Sequence, residues 1–93
     1  MKGIVVIQDA KVLNICDKTA KAKDGTDIRW TEIVFMSGSD VNTITINKNV
    51  AEELAIDEVY DLLMEITEQI RNGSNGRGFV THKFRITGVA EYN

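Results

Sequence analysis

The stretch Asp57-Glu-Val-Tyr-Asp-Leu-Leu-Met-Glu-Ile-Thr-Glu-Gln-Ile-Arg71 can be read with two periods. Side chains on a strand alternate between faces, while those on a helix return to one face every third or fourth residue. Val59, Leu63, Ile66 and Ile70 fit the helical spacing. Tyr60, Leu62, Met64, Ile66 and Ile70 fit the strand spacing, with Asp61, Glu65, Thr67 and Gln69 on the other face. Only Leu63 and Glu68 break that alternation. Intrinsic propensity leans to helix, but the period of two covers more residues and predicts a strand. The choice decides the fold. If Val50 to Ile70 were instead a pair of helices, the chain would be α+β.

Working outward toward the N-terminus, Asn47 to Ala55 reads as a short helix. Asn47 or Asn49 can cap it, and Glu52 and Glu53 suit its positive N-terminal end. Val50 and Leu54, four apart, would plug one end of a barrel. Val41 to Ile46 is rich in β-branched residues and reads as a strand. Ser37-Gly38-Ser39-Asp40 is a turn, and Asp27 to Met36 is another strand. Lys23-Asp24-Gly25 carries the Asp-Gly hairpin signal, because glycine accepts positive φ without a Cβ clash. Gly3 to Thr19 is one long extended stretch whose apolar phase is repaired by a bulge or bend near Asp9-Ala10. Toward the C-terminus, Asn72 to Gly78 holds three glycines in seven residues and is expected to be mobile when nothing is bound. Phe79 to Ala90 is the last strand, with Val80, Phe84 and Ile86 on one face and Phe79, Lys83, Arg85 and Thr87 on the other.

Three strands, a helix and two strands are the order of the OB barrel. The expected fold is mainly β: a five-stranded OB-type Greek-key barrel with one short helix between strands 3 and 4. Residues 1–93 would form a single domain, since 93 residues are too few for two. No apolar run approaches the length of a membrane helix, the longest being Ile4 to Ile7. Gln8 and Asp9 interrupt that run, so the start does not read as a signal peptide. The single cysteine, Cys16, cannot form an internal disulfide and implies a reducing, cytoplasmic setting. His82 is its only soft co-ligand, too few for a zinc site, and no cofactor is expected.

Catalytic chemistry finds few carriers. The glycine-rich loop lacks the Gly-Lys-Ser/Thr ending that cradles a nucleotide phosphate. His82 reads as a rim residue, and Asp61 and Glu65 as solubilising acids on one strand face. No enzyme is expected.

Charge distribution says more than the net −3. From Lys48 to Glu68 there are one base and seven acids. From Arg71 to Arg85 there are four bases and no acid. From Lys11 to Arg29 five bases meet three acids. Local potential, rather than net charge, steers a polyanion onto a surface. Binders of single strands join a cationic track for phosphates to aromatic platforms for bases. In an OB barrel those groups belong on the second and third strands and in the loops joining strands 1–2 and 4–5. Those places hold Lys18, Lys21, Lys23, Arg29, Trp30, Arg71 and Arg77, with Phe79, Lys83 and Arg85 following on the fifth strand.

Each candidate also has a plainer role. Trp30 fits a core edge as well as a stacking platform, and Phe79 a strand-start core position as well as an exposed one. Lys18, Lys21 and Lys23 fit a solvated hairpin tip. Phe35 and Phe84 read as core, and Tyr60 as a barrel-end residue.

The run Lys23-Asp24-Gly25-Thr26-Asp27-Ile28-Arg29-Trp30, a helix with Val50-Ala51 and Leu54, and Val59-Tyr60-Asp61-Leu62 together resemble the layout of small OB-fold single-stranded DNA-binding proteins. These occur in bacteriophages and bacterial mobile elements and often act as dimers. The resemblance covers most of the chain and implies Lys21, Lys23, Arg29, Trp30, Arg77 and Phe79 as contacts. The expected partner is therefore single-stranded nucleic acid, DNA above RNA. A homodimer through an unpaired barrel edge is a further expectation. The alternative is a protein-interaction module, or an adaptor that mimics nucleic acid with its acidic 52–68 segment.

Overall fold

A computed structural model describes residues 2–72 and 78–90. Five strands and one helical turn follow in order: β1 (Lys2–Lys21), β2 (Asp27–Ser37), β3 (Asp40–Ile46), α1 (Lys48–Ala51), β4 (Val59–Asn72) and β5 (Gly78–Val89). The ambiguous segment is extended from Val59 on, after a turn in which Asp57 takes φ 71°, and the helical-pair alternative is thereby excluded. The strands close a barrel in the order β1-β2-β3-β5-β4, an OB-type topology. All neighbours are antiparallel except β3 and β5, which run parallel and close the barrel with only two register pairs, Thr45–Arg85 and Ile46–Ile86. Among the described residues no helix is long and apolar enough to cross a membrane.

β1 serves two neighbours by bending. Lys2 to Lys11 pair with β4, and Lys11 to Lys21 pair with β2. Inward residues along it are Ile7, Ala10, Val12 and Ile15. Their spacing of three, two, three needs an extra residue at two places, because a regular strand returns to one face every second residue. The first extra residue is at the expected bend. The register shifts between Ile7 and Ala10, and Asp9 adopts φ 53°. The Asp9 N–H donates to Asp61 Oδ1 at 2.9 Å, so a carboxylate from β4 holds this left-handed turn in place. The second shift, between Val12 and Asn14, was not foreseen.

The core is drawn from every strand. Ala10, Val12, Ile33, Phe35, Ile46, Leu62 and Ile86 are buried, and Val50 and Ala51 of α1 close one end. Leu54 and Tyr60 pack against this cluster, as expected of barrel-end residues. The Tyr60 hydroxyl also accepts the Ala55 N–H at 2.9 Å. At the β1–β2 turn, Gly25 takes φ 87° and its N–H donates to the Ala22 carbonyl. Hydrogen bonds from the Thr26 side chain and then its N–H hold the Asp24 carboxyl below its ordinary value near 3.8.

Two expectations need correction. The helix spans only Lys48–Ala51, not Asn47 to Ala55. Asn47 is its N-cap residue but makes no side-chain capping bond, and Glu52 and Glu53 follow the C-terminal end rather than the first turn. Phe84 is not core: it is 47% exposed. Its face is the inward one, shared with buried Ile86, but Phe84 lies past the last β3–β5 pair, Thr45–Arg85, and its partner Ile66 is paired in turn with Gly3, which has no side chain; alternation places a side chain without covering it.

Candidate functional site

Two hairpin arms extend past the barrel. In the first, Lys18–Trp30, Thr19–Arg29, Ala20–Ile28 and Lys21–Asp27 pair beyond Thr31–Ile46, the last pair between β2 and β3. In the second, β4 and β5 continue to Asn72–Gly78, past the last β1–β4 pair, Lys2–Thr67.

Between the arms lies an outward-facing row fixed by register. Cys16, Glu32, Thr45, Arg85, Glu65 and Ile4 are successive neighbours around the barrel. Their chain neighbours Ile33, Ile46 and Ile86 are buried, which turns the row to the outside. Trp30, two residues before Glu32, and Lys83, two before Arg85, share that face. The half-buried Trp30 indole donates Nε1–H to Glu32 Oε2 at 3.0 Å, so its ring is oriented. Arg85 donates from Nη1 to Asn47 Oδ1 at 3.2 Å, which sets the guanidinium toward the start of α1.

Two adjoining pockets, taken together as the cleft, lie over this surface. Its helix-side section, about 540 Å3, lies between the first arm and α1. Its arm-side section, about 910 Å3, lies between Ile28 to Trp30 of the first arm and Thr67, Gln69 and Lys83 to Arg85 of the second. Arg29, Trp30, Thr45, Asn47 and Arg85 border both sections. The lining carries five cations, Lys18, Arg29, Lys48, Lys83 and Arg85, and two carboxylates, Asp17 and Glu65. Asp17 accepts the Thr31 hydroxyl at 2.8 Å and sits 3.9 Å from Lys48 Nζ. The cleft is thus locally positive on a chain of net charge −3.

Of the residues singled out in the sequence, the structure brings Lys18, Arg29, Trp30, Lys83 and Arg85 together. Lys21 lies at the tip of the first arm, 3.3 Å from Asp27, and Lys23 is exposed in the turn beyond it; neither lines the cleft. Arg71 and Phe79 are register partners in the second arm. The glycine-rich loop tip and Arg77 lie outside the described residues. Lys48, Asn47, Thr45 and Phe84 were missed. Lys48 was counted with the acidic segment, although it directly follows the third strand and its cap, where an OB binding face begins.

The acidic segment does not form one surface. Glu52, Glu53, Asp57 and Glu58 are exposed around the end of α1 and the start of β4. Asp61 serves the β1 bend, Glu65 lines the cleft, and Glu68 pairs with His82 on the second arm. Among the described residues no group of three or more His, Cys, Asp or Glu is placed to hold a metal ion. No protein-family model matches this sequence, and no curated protein matches it.

Proposed function

We propose that this barrel is a non-catalytic binder of single-stranded nucleic acid, DNA above RNA, and that the strand lies in the cleft between the two arms. One observation carries the reading: five cations and an oriented indole line two adjoining pockets beside the first arm of an acidic chain. Lys18, Arg29, Lys48, Lys83 and Arg85 would meet phosphates, and Trp30 would stack on a base, an interaction tolerant of sequence because every base has a π face. On this reading the chain works as small OB-fold binders of bacteriophages and mobile elements do, and the free thiol of Cys16 fits a reducing, cytoplasmic setting. Self-association, the other partner expected from the sequence, would engage a different surface.

Titration of Trp30 fluorescence with an oligothymidine at low salt tests the reading. A saturable change is expected with the single strand, and a much weaker one with duplex. Arg29→Glu with Arg85→Glu should remove binding while the far-ultraviolet circular dichroism stays that of the native barrel. No response from the native chain at low salt overturns the proposal. The acidic alternative has the opposite signature: Glu52→Lys with Glu53→Lys would abolish its interaction, and here should leave oligonucleotide affinity equal or higher.

A further inference from the structure

Asn47 stands between β3 and α1, where a helix takes its cap, yet its side chain makes no capping bond. An N-cap side chain ordinarily accepts an N–H from the first turn. Here the backbone closes the turn instead. The Asn47 carbonyl accepts the Val50 and Ala51 N–H groups at 3.0 Å, and the Asn47 N–H donates to the Ile86 carbonyl at 3.1 Å. The residue is extended, at φ −65° and ψ 134°, and so continues the alternation of β3. Ile46 is buried, which puts Asn47 on the outer face with Thr45, the register partner of Arg85.

On that face the amide meets Arg85, whose Nη1 donates to Asn47 Oδ1 at 3.2 Å. A guanidinium carries donors only, so the amide must turn its oxygen toward it, which fixes the orientation of the group. The oxygen is then engaged, and the Nδ2 hydrogens have no partner among the described residues. An asparagine that reads adenine needs both of its groups, oxygen for N6–H and nitrogen for N7. With its oxygen held, Asn47 offers donors alone, as Arg85 does, and both residues border the two pockets. Neighbouring donors without an acceptor suit an anionic oxygen.

We propose that Asn47 and Arg85 work as one phosphate-binding pair, in which the amide holds the guanidinium by its oxygen and adds its Nδ2 donors beside it. The inference rests on the single-strand reading and adds to it a neutral residue that a count of charges overlooks.

Anisotropy of labelled oligothymidine and oligodeoxyadenosine, with thermal unfolding of the same variants, tests the pair. Asn47→Ala should bind both strands roughly tenfold more weakly, the scale of one hydrogen bond to a charged group. It should melt with the native chain, whereas loss of a working cap would lower the midpoint by roughly 4–8 °C in a domain of this size. In an Arg85→Ala background the same change should cost far less, because two members of one site are not additive. Asn47→Asp keeps an acceptor for Arg85 and a competent cap but has no donor, and should bind at least as weakly as Asn47→Ala. Native affinity in either Asn47 variant overturns the pair. So does a loss additive with Arg85→Ala, or a midpoint that falls with the affinity. A loss confined to oligothymidine also overturns it, since adenine has no carbonyl oxygen and the amide would then be meeting a base. A native chain that binds neither strand overturns the single-strand reading itself, whereas a native chain that binds no better than these variants overturns the pair alone.

Discussion

Trp30 shows how one residue serves structure and site together. It is half-buried, its Nε1–H is held by Glu32, and it borders both sections of the cleft. The hydrogen bond satisfies the one polar group of the indole and leaves the ring as a platform rather than a mobile side chain. Replacing it by alanine should remove one base stack, worth roughly 1–3 kcal/mol of binding. Trp30→Phe should recover most of that loss. Anisotropy of a labelled oligonucleotide measures both variants, since the intrinsic reporter is gone. An alanine variant with native affinity would remove Trp30 from the interface.

At the scale of elements, the β1–β2 turn ends the first arm. Gly25 lies at φ 87° in the β1–β2 turn, and a Cβ there would meet nothing within 4 Å. The whole cost of Gly25→Ala is therefore backbone conformation, about 1–2 kcal/mol for an L-residue on the left-handed side. Denaturant unfolding should show that loss as a lower midpoint with an unchanged slope, because the surface exposed on unfolding is the same. The bend of β1 is an element-scale device of another kind. Asp61 was expected to do no more than solubilise its strand, yet it accepts the Asp9 N–H and stabilises the turn that lets one strand pair with two neighbours. The single turn of α1 is likewise held by its setting: the Asn47 N–H donates to the Ile86 carbonyl across the β3–β5 seam.

For the whole molecule the decisive quantity is the local field. Repulsion expected from the net charge of −3 is offset where the ligand meets five lining cations against two lining carboxylates. Each phosphate neutralised on a single strand contributes about −0.7 to the slope of log K against log salt. With all five cleft cations engaged, the slope should be about −3.5. Arg85→Ala should make it shallower by about 0.7, whereas Lys23→Ala, at the arm tip, should change it little. Affinity measured at several salt concentrations decides this, and a flat dependence would count against any phosphate track.

Sequence alone determined the element order, the extended state of 59–71, the Asp-Gly turn and the need for a bend near Asp9-Ala10. Alternation and turn chemistry are local properties, written in residues that are neighbours in the chain. It also located five of the residues that border the cleft. Only the tertiary structure decided that Phe35 is covered and Phe84 is not, that Lys48 faces the cleft while Glu65 and Glu68 part company with the other acids, and that β1 needs a second extra residue between Val12 and Asn14. Alternation states which way a side chain points. Whether anything covers it, or which charges stand beside it, depends on strands far away in sequence and on where their register ends.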